Sequence, residues 1–483
     1  MNFSAENTPL WNAVLQLAML CAILVVANIL RRKISFLRKS LLPTAAIGGF
    51  LALGLRLLIP GPVAPEDSWL GWLRLDPDMM GKLTYHMIAI GFIALALRIP
   101  RKSELTDTAK ARHDGLNSGI LIAGSYLVQG IVGLGITMAL GYTLFPDLFK
   151  SAGLLLPMGF GASAGQAFNI GTNYEAMGFA GGSTFGLSIA TMGLLWGCIG
   201  GVIYLNIRMR RKKIAAANQL EHGYASQEPV EDPGEVPLTE AVDRLTMQVA
   251  LVLLVYLATY LVSLGFEKLI PHIPVLKGMT NTLVPLVWGF NFLIGTMMAA
   301  AFKAIIAGIR KTGIMTRQYQ NNYLLNRISG AAFDLMIIAS ICAIDIGDLS
   351  KLWIPFLILC TAGGFITLWY VRFMSDRLFP GYSEEMFFSM YGTMTGPVST
   401  GILLLREVDP EFRTPASNNL VIGSSMAILL GFPLLLLIGL APKSDMLLWV
   451  SMGLMILYAL VLNAVALVPV FRRRKKGKEK SAD

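Results

Sequence analysis

Charge is what this 483-residue sequence has least of: Asp, Glu, Lys and Arg make up only 14% of it. A soluble protein carries about 25%, so a water-facing surface over the whole chain is excluded. Catalytic material is scarce as well. There are four histidines and four cysteines (Cys21, Cys198, Cys342 and Cys360), each cysteine within an apolar run and none in CxxC spacing. The cysteines therefore read as small hydrophobes, with neither a metal-ligand cluster nor a disulfide framework. The sequence has no Walker-type glycine loop and no Ser/His/Asp constellation. It is not read as an enzyme, no cofactor is expected, and energy would come from an ion gradient.

Apolar residues fill the space that charge leaves, at 54% of the chain with mean hydropathy +0.60. The apolar segments run over about 9–30, 41–60, 80–97, 115–145, 152–175, 183–207, 244–266, 280–302, 328–346, 352–371, 384–405, 418–440 and 446–470. Most approach or exceed the roughly 18 residues that cross a bilayer as a helix, so the expected fold is an all-α polytopic membrane protein. The first segment is longer than a signal peptide's and its basic run, Arg31-Arg32-Lys33, follows it. It is expected to be retained as a helix.

The net charge of +10 does not point to nucleic acid, because the basic residues fall in short runs between apolar segments. With the N-terminus outside, and with 152–175 and 384–405 each entering and leaving on one side, a single pattern emerges. All but eight of the 40 Lys and Arg residues then fall in inner loops or the tail; the eight are Arg56, Arg74, Lys82, Lys150, Lys268, Lys277, Lys351 and Lys443. That asymmetry matches the positive-inside rule and places the C-terminus in the cytoplasm. Residues 208–243 include "HGYASQEPVEDPGEVPLTE", a polar, proline-bearing stretch read as a cytoplasmic linker. The tail over 472–483 is basic and reads as an orientation signal beside anionic lipid.

Two stretches break the apolar pattern in matching places. "MGFGASAGQAFNIGTNYE" (158–175) contains Gly161-xxx-Gly165, and "MYGTMTGPVSTGILLLRE" (390–407) contains Gly392-xxx-Gly396. "HMIAIGFIALAL" (86–97) and "DLMIIASICAID" (334–345) also correspond, and a long helix follows each. The expected organisation is thus a first repeat over 1–207 with a re-entrant hairpin near 152–175, and the linker 208–243. A second repeat over 244–440 follows, with a hairpin near 384–405, then an extra helix over 441–471 and the tail. The charge pattern sets the two repeats in opposite orientation. Inverted repeats with paired broken helices are the pattern of a secondary transporter with its site at the membrane midplane.

The physical reason lies in the backbone. Non-helical chain at membrane depth survives only where protein or a water-filled cavity satisfies its N–H and C=O groups. A hairpin tip offers free N–H groups from one half-helix, which attract a carboxylate, and free carbonyls from the other, which attract a cation. The candidate substrate-binding residues are Gly161, Ser163, Gly165, Gln166, Asn169 and Asn173 in the first stretch. In the second they are Gly392, Thr393, Thr395, Gly396, Ser399 and Thr400. Each polar one could instead bridge neighbouring backbone, and small-xxx-small alone more often marks helix packing. Asp334 lies about 10 Å inside its helix and is the candidate cation or proton site, with pairing to Arg327 or another inner basic residue as the alternative. His86 reads as structural, and Glu175, Asp345 and Glu407 as end-of-segment charges.

These residues resemble the bacterial glutamate:sodium symporter family. The resemblance rests on "LLPTAAIGGFLALGLRLL" (42–58), the two Gly-xxx-Gly hairpins and "STFGLSIATMGLLWGCIGG" (183–201), and extends over most of 10–440. The family's hairpins are of the form GxGxG, whereas Ala162–Ala164 and Thr393–Thr395 separate the paired glycines here. The resemblance implies Na⁺-coupled uptake of an acidic amino acid by a homodimer in the inner membrane, with Na⁺ as coupling ion and one half rocking against the other. Departures from the pattern leave a dicarboxylate cargo or H⁺ coupling open. A channel or membrane receptor is the reading from another class.

Overall fold

The computed structural model describes residues 8–59, 75–99, 109–212, 244–274, 277, 280–312, 319–409 and 414–479. In chain order the first helices are α1 (Thr8–Lys33), the short α2 (Ser35–Lys39), α3 (Thr44–Leu58), α4 (Pro77–Leu97) and α5 (Ala109–Thr143). Then come α6 (Ala164–Glu175), α7 (Gly182–Leu195), α8 (Gly201–Lys212), α9 (Arg244–Leu269), α10 (Thr280–Gly289), α11 (Asn291–Lys311) and α12 (Asn322–Cys342). The chain continues through α13 (Ile346–Lys351), α14 (Trp353–Leu378), α15 (Ser383–Thr395), α16 (Val398–Val408), α17 (Ala416–Leu440) and α18 (Asp445–Glu479).

Among the described residues there is no strand, and ten helical stretches are long and apolar enough to cross a bilayer; α3 is shorter. In hydrocarbon a helix satisfies its backbone within itself, which is why so apolar a chain adopts this form. The protein is an all-α, multi-pass membrane protein. The four cysteines are free, three of them buried.

Some segment boundaries differ from those read in the sequence. The run 280–302 is two helices, α10 and α11, joined where the Phe290 backbone leaves the helical region. α11 then continues to Lys311, so part of the basic stretch read as an inner loop is helix. Lys and Arg are good helix formers and favourable in a last turn, so the charge run did not mark the end of the helix. Similarly, α8 carries the chain to Lys212, and residues 213–243 of the linker lie outside the described residues. The backbone of α18 stays helical to Glu479, well into the basic tail.

The chain forms two compact units, each built from both sequence halves. The first comprises Met1–Leu30, Thr44–Lys102 and Leu220–Ala343. Within it α4 packs along α12, α11 and α9, while α3 packs on α12. Ile93, Ala94 and Leu97 of α4 meet Val252, Val255, Ala299 and Leu325 in a fully buried cluster. Asp76 caps α4 by accepting from Asp78 N–H, with Pro77 in the first turn, and Asn321 caps α12 through Leu324 N–H. Such caps satisfy donors that the first turn leaves orphaned.

The second unit comprises Arg31–Pro43, Ser103–Gln219 and Ile344–Asp483. Its spine is the 35-residue α5, against which α14, α17 and α18 pack. The segment after α5 presses directly on it: a Cβ on Gly153 would lie 1.9 Å from the Gly133 carbonyl oxygen. Only glycine allows two backbones so close, as at many helix contacts in membranes. Gly178 and Gly181 take positive φ in the turn leading into α7, a conformation that costs glycine little.

Candidate functional site

Both sequence stretches that broke the apolar pattern are broken helices, and both belong to the second unit. The first begins as a 3₁₀ turn (Lys150–Leu154), winds through a π-helical turn (Pro157–Ala162) and opens at Ser163, which is extended before α6 begins. The second is α15, an extended Gly396-Pro397 pair, then α16. The sequence dictates these breaks. Pro157 and Pro397 lack the N–H that would continue the preceding hydrogen bonds, and the flanking glycines carry no helical preference.

Each tip starts a new helix. Ser163 Oγ accepts from Gln166 N–H at 3.3 Å, so α6 is capped by its own entry residue. α16 has no side-chain cap; Thr400 N–H turns back to the Pro397 carbonyl at 2.8 Å. The N–H groups at the start of α6 and α16 thus point toward the tips, with partial positive charge from each helix dipole. The last carbonyls of α15 bring the opposite polarity to the second tip.

The two breaks are joined through shared neighbours. The π-helical turn of the first packs against α15 of the second and against α7. At Gly193 of α7, a Cβ would stand 2.6 Å from the Thr395 carbonyl oxygen and 2.8 Å from the Phe160 ring, so both breaks close on one glycine. A second π-helical turn, Trp196–Gly200 between α7 and α8, contacts both arms of the second break.

A residue that sequence reasoning missed joins these parts. Gln129 of α5 is fully buried. Its Nε2 donates to Thr367 Oγ1 of α14 at 2.8 Å and to the Met394 carbonyl at the end of α15 at 2.9 Å. Among the described residues its Oε1 has no hydrogen-bond partner, and it lies beside the first break, 2.9 Å from where a Gly161 Cβ would stand. One amide therefore ties α5 and α14 to the second break and turns its acceptor toward the first. The available signal was a lone amide in the apolar run "SYLVQGIVG".

The sequence-derived candidates fall into three groups. Gly161, Gly165, Gln166, Asn169, Gly392, Thr393, Thr395, Gly396 and Thr400 are buried around the breaks, Ser163 and Asn173 are half-buried, and Ser399 is exposed. Some of these side chains serve their own helix: Thr393 Oγ1 donates to the Ser389 carbonyl and Thr395 Oγ1 to the Tyr391 carbonyl, at 2.9 and 2.8 Å. Gly392 meets the backbone of Gly401, closing the second hairpin. Asp334 lies on α12, in the first unit, with its side chain exposed.

Charged groups hold the arms in place. Glu384, in the first turn of α15, is clamped by Arg208 from α8 and by Arg372 from α14, whose Nη1 stands 3.0 Å from Oε2. Tyr382 donates to Asp114 at 2.8 Å and accepts from Asn419; burial and the Asp114 carboxylate hold its phenol above the usual range. At the end of the first hairpin, Glu175 accepts from the Ser183 N–H and hydroxyl at 2.9 and 2.7 Å. The expected end-of-segment charge is therefore also a fastener between α6 and α7. His86 hydrogen-bonds with the Tyr256 hydroxyl at 2.6 Å, and Asp345 caps α13.

Among the described residues no three His, Cys, Asp or Glu side chains gather. A cation at the breaks would meet carbonyl, amide and hydroxyl oxygens, a donor set suited to hard monovalent ions, while the helix N-termini suit an anion. No protein-family model matches the chain, and a comparison with curated proteins finds no match.

Proposed function

We propose that this protein is a secondary active transporter that couples Na⁺ to the movement of a small carboxylate, glutamate by the resemblance noted above. The observation that carries the reading is the pair of broken helices held together in one unit through Gln129 and Gly193. Opposed helix ends at one place supply partial charges of both signs without a fixed ionised residue, which is what co-transport of an anion and a cation requires. The N–H groups opening α6 and α16, with Ser163 and Ser399, hold the carboxylates. The carbonyls ending α15, with the Gln129 amide oxygen, face the cation.

Because both breaks lie in one compact unit, alternation of access is assigned to that unit moving as a body. Rocking of residues 1–207 against 244–440 would separate the two breaks. In this reading the two sequence halves are inverted repeats, the N-terminus is outside, the C-terminus is cytoplasmic, and the protein works as a homodimer in a bacterial inner membrane. Asp334, a carboxylate within a membrane-spanning helix, favours one variant of the reading in which H⁺ replaces Na⁺. Calorimetric titration of purified protein with glutamate, in Na⁺ and in K⁺ buffers, tests the reading. Saturable binding only in Na⁺ is expected; no binding of any acidic amino acid or dicarboxylate in either buffer contradicts it.

A further inference from the structure

A second feature, in the first unit, is independent of the broken helices. A cavity of about 350 Å³ is lined by Ile99 just beyond α4, by Lys303, Ala304, Ile306, Ala307 and Arg310 of α11, and by Gln320 just before α12. The spacing 303, 306/307, 310 sets a lysine, small and apolar residues, and an arginine along one face of a helix. The two cations are about 10 Å apart along the axis, close enough for their long side chains to converge over the alanines between them. Among the described residues that line the cavity none is acidic.

The walls are built rather than incidental. Asn322 clamps the Ile99 backbone from both sides, accepting from its N–H and donating to its carbonyl, both at 2.8 Å. Gln248 does the same to the chain before α12, donating to the Tyr319 carbonyl at 2.8 Å and accepting from Asn321 N–H at 3.2 Å. Lys303 is itself held, its Nζ donating to the Arg98 carbonyl at 3.0 Å. The buried amides of Asn322 and Gln248 thus fix both edges of the opening, and the Arg98 carbonyl fixes the lysine's position. The cavity sits where α4 and α11 end and α12 begins, all three of them membrane-spanning. A site half cationic and half apolar at that level suits an amphiphile whose anionic head meets the cations while its chains lie along the helix.

We propose that this cavity is a phosphate-recognition site at the membrane surface, the phosphate being carried by an anionic lipid headgroup or by a free phosphate compound. Lys303 and Arg310 contact the phosphate oxygens, and Ala304, Ile306 and Ala307 accept the apolar part. The site is independent of transport, so it stands or falls separately from the function proposed above.

The test uses full-length protein in a neutral detergent, with thermal unfolding followed during titration with dioctanoyl phosphatidylglycerol, dioctanoyl phosphatidylcholine and inorganic phosphate. Saturable stabilisation by phosphatidylglycerol and not by phosphatidylcholine is expected. The Lys303→Gln/Arg310→Gln variant should weaken the apparent affinity about thirtyfold, as expected for two lost surface cations. Its melting temperature without ligand reports whether folding is intact, and Lys303→Arg should retain binding. Stabilisation by inorganic phosphate to the same degree, lost in the same variant, also supports the site and assigns its ligand to free phosphate. Equal stabilisation by both lipids would overturn the proposal. So would an equal loss in the control Arg32→Gln/Lys33→Gln, which removes membrane-flanking charge at the end of α1.

Discussion

At the scale of single residues, the breaks are legible in the sequence and their cross-tie is not. Pro157, Pro397 and the glycines around them announce where helices must stop, because each removes a donor or a conformational preference. Gln129 gives no such notice: a glutamine in an apolar run reads equally as a helix-bridging group, and only the positions of Met394 and Thr367 show what it bridges. Replacing it with Leu leaves the buried Met394 carbonyl without its donor, at a cost of about 1–3 kcal/mol. Lowered thermal stability in detergent, together with weaker Na⁺ dependence of glutamate binding, is the expected result for Gln129→Leu. Gly401→Ala tests the second hairpin's closure, since the new Cβ would stand 2.1 Å from Thr393 Oγ1 and 2.4 Å from the Ser389 carbonyl. Overpacking of that kind costs about 1–3 kcal/mol, and a reduced monodisperse yield on size exclusion would report it. Asp334 separates the two coupling ions: with Asp334→Asn, Na⁺ coupling is expected to persist, and loss of a pH-gradient response would reassign the coupling to H⁺.

Among elements, apolar runs located the helices well and their internal joints poorly. The joint at Phe290 divides a continuous apolar stretch with no charge and only the single Gly289 beside it. The basic part of α11 up to Lys311 conceals about two and a half further turns of helix from a reading based on loops. The π-helical turns at Pro157–Ala162 and Trp196–Gly200 were likewise invisible, because an extra residue in a turn leaves composition unchanged. The hairpin arms are predicted to depend on their fasteners. Glu384→Gln removes the carboxylate between Arg208 and Arg372, and with its side chain only 17% exposed the expected loss is about 1–3 kcal/mol. A lower unfolding midpoint that high salt partly masks in the wild type would fit. Identical midpoints would mean that the clamp contributes nothing to the hold on α15.

For the whole molecule, the charge pattern reads as two halves expected in opposite orientation, and the structure sorts the helices into two units that each draw on both. Contacts such as α3 with α12 or α4 with α11 join segments hundreds of residues apart, and no local pattern encodes them. The broken helices belong to one of these units and Asp334 to the other. Orientation is open to a direct check. A cysteine placed at Leu144, 72% exposed after α5, should react with an impermeant maleimide from outside intact cells, while one at Phe36, also 72% exposed, should react only after permeabilisation. The reverse pattern would invert the topology. The central claim is met most directly by purified protein in proteoliposomes given labelled glutamate, with and without an inward Na⁺ gradient. Accumulation that requires the gradient and saturates with glutamate is the predicted result. Gradient-independent flux, or no accumulation of any acidic amino acid or dicarboxylate, would contradict it.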